Sequence, residues 1–231
     1  DWFCTHHKKQ YKEISAVLGE PTNLTTVEIG HKGNIFLRVT TKGSSGHGSV
    51  PISWRDHAVG KMTSVIRMLS RLEKQWKKQY AHAVLGNPTI GMVTSIGAGQ
   101  ESSPNMFPSL CTATFDIRTT PNLHADAFEI IQKAVKSKGV VSTVYPPVSY
   151  GLTDPKARIV KIVQSLTKAS VGVSHGSNDL CFFSTADIPA VVYGPGIAET
   201  MHSINENMPI KNINLCISIY KDVIERFSYD Y

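Results

Sequence analysis

The feature that most limits what this chain can fold into is a change of hydrophobic period, repeated in a fixed order between residues 34 and 146. Asn34 to Thr41 sets Ile35, Leu37 and Val39 against polar neighbours, the two-residue period of a strand with one covered face. A Gly/Ser loop, Gly43 to Pro51, follows. Trp54 to Gln79 then places Ala58, Val59, Met62, Val65, Ile66, Leu69, Leu72 and Trp76 at steps of three and four. That spacing predicts a long amphipathic helix, with Ser53 as its N-cap. Pro88 to Ile96 and Leu110 to Ile117 read as two strands joined by a loop rich in Gly, Ser and Pro. Leu123 to Lys138 reads as a second helix closed by Gly139 at C′, and Val140 to Tyr145 as a last strand. The order β-α-β-β-α-β is the split βαβ arrangement of ferredoxin-like domains.

The flanks carry a different pattern. Ile14 to Leu18 is a short apolar run, read as a buried strand, that ends at Gly19-Glu20-Pro21. Beyond residue 150 come a helix from Ala157 to Lys168, the run Ser174 to Asp179, a helical stretch Leu180 to Thr185, and an uninterrupted apolar strand Ile188 to Tyr193. Gly194-Pro195-Gly196 stops that strand, and a final helix runs from about Ile213 to Phe227. Alternating strands and helices indicate an α/β layer. The expected fold class is therefore α/β, with residues 1–32 and 149–231 forming one domain and residues 33–148 an inserted ferredoxin-like one.

Composition narrows the function classes. Hydrophobic residues make up 41% and charged residues 18%, which excludes a disordered chain. No apolar run approaches the roughly 18 residues of a membrane span. The net charge of +6 sits in short clusters such as Lys74, Lys77 and Lys78, interrupted by acids, as on solvated helix faces. A ferredoxin-like domain that binds RNA would carry ring residues on its central strands. The strands 88–96 and 110–117 offer only Phe115, so no nucleic-acid partner is expected. Cys4, Cys111, Cys181 and Cys216 form no C-x-x-C pair, and buried free thiols in a reducing, cytoplasmic compartment are expected. Residues 1–30 lack the pattern of a signal peptide. The chain opens at Asp1 without an initiator Met, which reads as a fragment or processed product.

Several residues could carry chemistry. Glu20 and His202 each stand just past a strand end, where ligands gather in open α/β sheets, and carboxylate and imidazole are zinc ligands. His47 lies between two glycines in the loop of the inserted domain. Arg118, ending a strand, could hold a carboxylate with its fork or pair with Asp116. Asn105 sits in a Ser-Pro-Asn-Met-Phe-Pro loop, where turn chemistry alone would explain it. His175, Ser177, Asn178 and Asp179 precede a helix and read as an anion site, with Asp179 as a capping acid in the alternative. His6, His7, His57, His82 and His124 read as surface or boundary histidines. The chain has no H-E-x-x-H, no G-x-S-x-G, no Walker loop and no G-x-G-x-x-G after a strand.

Taken in order, Gly19-Glu20-Pro21-Thr22-Asn23-Leu24, His31-Lys32-Gly33, Gly43 to Pro51, Asn105 to Pro108, Phe115-Asp116-Ile117-Arg118, Tyr193 to Gly196 and His202 to Glu206 resemble the dizinc metallopeptidase and amidohydrolase family. That family includes acetylornithine deacetylase, succinyl-diaminopimelate desuccinylase and aminoacylase. The resemblance implies a hydrolase of N-acyl amino acids acting in amino-acid biosynthesis, with two zinc ions (cobalt in their place is an option). It implies Glu20 and His202 as metal ligands, and His47 as a lid histidine that reaches the partner's active site in a homodimer. Asn105, Arg118, Ser177, Gly194 and Gly196 are implied at the substrate. The family's other metal ligands and its Glu-Glu general base precede the Gly-Glu-Pro motif, and residues 1–19 hold no substitute. The expectation is a chain with two of five metal ligands that is inactive alone. The alternative is a non-catalytic dimerisation or binding module.

Overall fold

A two-residue hydrophobic period buries one face of a strand, and a 3.6-residue period buries one stripe of a helix; both stripes find partners here. The computed structural model describes residues 2–7, 13–91 and 93–229. Its strands are β1 (Ala16–Leu18), β2 (Thr26–His31), β3 (Gly33–Lys42), β4 (Gly46–His47), β5 (Val93–Ala98), β6 (Met106–Phe107), β7 (Leu110–Thr119), β8 (Val140–Thr143), β9 (Gly151–Leu152), β10 (Ser170–Ser174) and β11 (Ala190–Val192). Its helices are α1 (Trp2–His7), α2 (Ala58–Gln79), α3 (Ala127–Val135), α4 (Arg158–Thr167), α5 (Leu180–Thr185) and α6 (Ile210–Tyr229). They form two compact units, residues 33–148 and residues 1–32 with 149–231.

In the 33–148 unit the sheet order is β5-β7-β3-β8, every neighbour antiparallel. This is the ferredoxin-like order. Ile35, Leu37 and Val39 of β3 and Ala113, Phe115 and Ile117 of β7 face α2 and α3, which bring Met62, Leu69, Trp76 and Ile131 to the same core. The opposite face carries Phe36, Arg38, Thr114, Asp116 and Arg118. The central strands are thus β3 and β7, not the pair 88–96 and 110–117 assumed in weighing RNA. Phe115 is buried among the helices, and Phe36 is the one ring these two strands turn to the open face.

Three predicted boundaries move. α2 begins at Ala58, four residues late, because His57 caps it: its Nδ1 accepts from the N–H groups of Val59 and Gly60. Ser53 instead accepts from Arg55 N in the turn before. α3 ends at Val135, and Gly139 is not its left-handed cap, since its φ is not positive. Gly139 serves close approach: a Cβ there would lie 2.7 Å from the Thr40 carbonyl oxygen. The 88–96 strand is broken at Gly91 (φ +42), with Thr89 bridging to Arg118 before the break.

The other unit holds a sheet ordered β1-β11-β2-β10, with β9 added against β2. β1 runs parallel to β11 and β10 parallel to β2, while β11 and β2 are antiparallel. β11 is fully buried, as its unbroken apolar run predicts. β1 is an edge strand and only half-buried, not the buried strand expected. Sequence reading missed β2 and β10 because Thr26, Glu28, Gly30, Ser170 and Gly172 break the hydrophobic period. All four cysteines are buried free thiols. No described helix is long and apolar enough to cross a membrane.

Candidate functional site

β1 and β11 pair in register, Ala16 with Ala190 and Leu18 with Val192, so their carboxyl ends release two loops side by side. The loops are laced together. Thr22 N donates to Gly194 O and Asn23 N to Gly196 O at 3.0 Å. The Thr22 hydroxyl accepts from Gly194 N at 3.1 Å. Asn23 Oδ1 accepts from Ala198 N at 2.9 Å, and its Nδ2 donates to the Glu199 carboxylate at 3.1 Å. Glu20 lies in the first loop, and His202 lies just beyond the 3-10 turn Ala198–Thr200 of the second. Both side chains are exposed. Sheet register and a lattice of main-chain bonds therefore carry both candidate ligands on one laced loop pair.

The glycines matter here through close approach. A Cβ on Gly194 would overlap the carbonyl oxygens of Gly19 and Glu20, and one on Gly196 would lie 2.6 Å from Pro21 Cγ. From below, the Tyr220 hydroxyl of α6 donates to Tyr193 O at 2.5 Å, and Tyr193 in turn donates to Leu24 O at 3.1 Å. Burial pushes the Tyr220 phenol well above its usual range, so it stays a neutral donor at ordinary pH. The backbone is strained at both loops. Asn23, Leu24 and His202 have φ of 55°, 58° and 61°, a region costing about 1–3 kcal/mol for non-glycine residues and held only where the surroundings impose it. At His202 one such constraint is visible: its N–H donates to the Glu206 carboxylate at 2.9 Å.

Glu28 was invisible to sequence reading because its strand was. It sits at mid-β2 opposite Val192, half-buried. Burial raises its carboxyl above the usual range; the Ser174 hydroxyl and His175 oppose this, and Glu20 adds to it. A folded-state pKa raised above the unfolded value favours folding at low pH, and that advantage is lost as pH rises through the folded value. Glu28→Gln is therefore expected to raise the melting temperature of the metal-free chain at pH 7 and to leave it unchanged near pH 3.5. Thermal unfolding at the two pH values checks this; an equal shift at both refutes it.

In the other unit, β4 and β6 form a two-stranded ribbon pairing Gly46 with Phe107 and His47 with Met106. The ribbon brings two predicted residues together: His47 Nε2 lies 3.2 Å from the Asn105 side-chain amide, and Gly48 N donates to Asn105 O at 2.6 Å. Ser49, which the sequence did not single out, fixes the imidazole. Its hydroxyl lies 2.7 Å from Nδ1, and its N–H lies 3.3 Å from the same atom. Asn105 Nδ2 can only donate, so Nε2 is the acceptor and Nδ1 carries the proton, directed at the Ser49 hydroxyl.

Other predicted residues are otherwise engaged. Arg118 donates to Asp116 at 2.8 Å, the ion-pair alternative, while Asn34 donates to the other Asp116 oxygen at 2.7 Å. The Ser177 hydroxyl donates to Lys32 O at 3.4 Å. α5 is capped by Asn178, whose Oδ1 accepts from Leu180 N at 3.1 Å, whereas Asp179 makes no capping bond. With six residues, α5 is too short for the anion site read at its start. His57 and His82 are acceptors for backbone N–H groups, and Thr119 bonds His124, whose imidazole burial shifts downward.

Residues 29–142 match the family model of the M20 peptidase dimerisation domain. Curated relatives include the acetylornithine deacetylase of Buchnera aphidicola subsp. Acyrthosiphon pisum, 28% identical over 225 residues, covering 92% of this chain and 57% of that protein. Another is the acetylornithine deacetylase of Pectobacterium carotovorum, 26% identical over 228 residues, covering 95% and 58%. These matches support a place for the chain among the M20 peptidases. It spans less than three fifths of the length of these M20 relatives. Among solved structures, a tripeptidase from Staphylococcus aureus superposes with a TM-score of 0.68 at 17% identity, covering 96% of this chain and 59% of that one. An M20 family metallo-carboxypeptidase from Sulfolobus solfataricus gives 0.66 at 16%, covering 97% and 65%. At such identities these two show the M20 fold alone.

The donor set tests the metal that the M20 family implies. A catalytic zinc takes three protein ligands and keeps a fourth position for water or substrate. Glu20 and His202, the two candidates, would supply two donors. Among the described residues, no group of three or more His, Cys, Asp or Glu is arranged to hold a metal ion. The described residues of this chain do not by themselves fit a catalytic zinc.

Proposed function

We propose that this chain is the lid-bearing part of an M20 hydrolase that cleaves the amide bond of N-acyl amino acids, and that the 231-residue polypeptide does not turn over by itself. The observation that carries the reading is the laced loop pair, which binds Glu20 and His202 into one structural element at the carboxyl ends of two parallel strands. In this reading Glu20 and His202 are metal donors of an assembly whose remaining donors lie outside the described residues.

The 33–148 unit is the lid, and two copies pair through it. Its His47 acts in the partner's site. Turned from Asn105 and carrying a proton on Nε2, its imidazole donates to the oxygen that becomes negative as an amide carbonyl is attacked. Asn105 holds the imidazole until then and afterwards faces the substrate. Arg118 takes the amino-acid carboxylate, exchanging Asp116 for it; Asn34 keeps Asp116 bonded through that exchange. Ser177 and the Gly194–Gly196 loop border the substrate.

The second reading, a non-catalytic dimerisation or binding module, is favoured by the shortfall of ligands. One series of measurements separates the two. The purified chain is expected to show no hydrolysis of N-acetylornithine or N-succinyl amino acids with zinc or cobalt added; rapid turnover would end the claim of inactivity. Cobalt is expected to bind weakly, and Glu20→Gln or His202→Asn to reduce that affinity about tenfold or more, since each removes a donor. A cobalt spectrum unchanged in both variants would remove the metal role and leave the module reading standing.

A further inference from the structure

The ribbon that carries His47 and Asn105 has only two residues per strand, too few to hold its own geometry. What props it is a second histidine. The His57 ring is stacked on Trp54 at 5.2 Å with an interplanar angle of 16°, and meets the Phe107 ring edge-on at 5.3 Å and 82°. Phe107 is the ribbon residue paired with Gly46, and its carbonyl accepts from the Ser45 hydroxyl at 3.2 Å. The same His57 ring caps α2, with Nδ1 accepting from Val59 N at 3.2 Å and Gly60 N at 3.4 Å. One side chain thus ties the start of a 22-residue helix to the ribbon.

That cap requires a neutral ring. A second proton would occupy the Nδ1 lone pair and place a positive charge at the positive end of the helix dipole. α2 has no acidic residue in its first turn to offset it. Trp54 and Phe107, the rings packed on His57, carry no charge. The charged groups beside it are Arg55 and Asp56 before the cap and Lys61 after it, and Lys61 is turned away to Lys42 O at 2.7 Å. From the ribbon the titratable neighbour is His47, held by Ser49 and Asn105.

We propose that His57 is a positioning residue for the His47–Asn105 pair: its neutral ring fixes the ribbon, and protonating that ring frees it. The ribbon's order stands on these packing and capping interactions alone; its consequence for catalysis rests on the lid-histidine role given above. The test is hydrogen exchange on the full chain, read in peptides covering residues 44–50 and 103–109 between pH 7.5 and 5 and corrected for intrinsic rates. In the parent protein, protection is expected to be about fivefold lower at pH 5 than at pH 7.5, the size of effect typical of a lost N-cap. His57→Asn keeps a cap acceptor that does not titrate, so its protection should be independent of pH. His47→Gln should retain the parent's pH dependence. If the dependence survives in His57→Asn, or disappears in His47→Gln, the proposal is overturned. Phe107→Leu supplies a second variant, which keeps the cap and removes the ring that His57 meets edge-on: ribbon protection should be low at both pH values. Nitrogen chemical shifts showing a protonated His57 Nδ1 at pH 7.5 would also overturn it.

Discussion

Gly194→Val is expected to destabilise the chain by about 3 kcal/mol and to abolish the cobalt binding proposed for Glu20 and His202. The reason is geometric. Gly194 lies where the two loops touch, and any Cβ there overlaps the main-chain oxygens of Gly19 and Glu20. Backbone cannot swing aside as a flexible side chain can, so the loops must part. Parting breaks the bonds from Thr22 and Asn23 to Gly194 and Gly196. Overpacking of this kind costs about 1–3 kcal/mol, and the broken hydrogen bonds add to it. Denaturant unfolding and a cobalt titration measure the two effects. Unchanged affinity in the variant would show that the two candidate ligands do not depend on the lacing. Gly97→Val is the control: nothing lies within 4 Å of a Cβ there, so only a small change is expected.

Trp76→Ala is expected to cost about 3–5 kcal/mol, the range for removing a large buried ring. Trp76 is 1% exposed in the core between α2 and the sheet. Trp54, on the same stretch of sequence, is 59% exposed, and Trp54→Ala should fall within about 1 kcal/mol. The difference is expected to appear as a drop in exchange protection in β3 and β7 of about 10²-fold or more for Trp76→Ala, with little change there for Trp54→Ala. Equal effects from the two substitutions would mean that the core of the 33–148 unit is not packed as described. Since whole domains are stable by only about 5–15 kcal/mol, the Trp76 variant would leave the 33–148 unit marginal.

These two results depend on different kinds of information. Trp76 can be placed from sequence, because its position on a 3.6-residue period sets which face it joins. The same periodicity yields α2, α3, β3 and β7 and hence the β-α-β-β-α-β succession, though not which strands are central. It assigns Trp54 to that helix too, wrongly, since a cap is decided by one side chain and not by a period. His57 reads as a surface residue in the sequence because histidine is an uncommon cap. β2 and β10 are hidden because polar and glycine residues interrupt their apolar positions, and with β2 goes Glu28.

Residue types and local periods determined the α/β class and the inserted ferredoxin-like unit and marked the candidate groups Glu20, His47, Asn105 and His202, since these depend on side chains and near neighbours. Tertiary structure decided which groups stand together. Only strand register and loop lacing put Thr22 against Gly194, 172 residues apart, and only the ribbon set Asn105 beside His47. It also gave Arg118 to Asp116 and set Gly194 against the main chain of the neighbouring loop. Which residues meet across such distances in the chain depends on how whole elements pack, and no local pattern of hydrophobicity or charge encodes that packing.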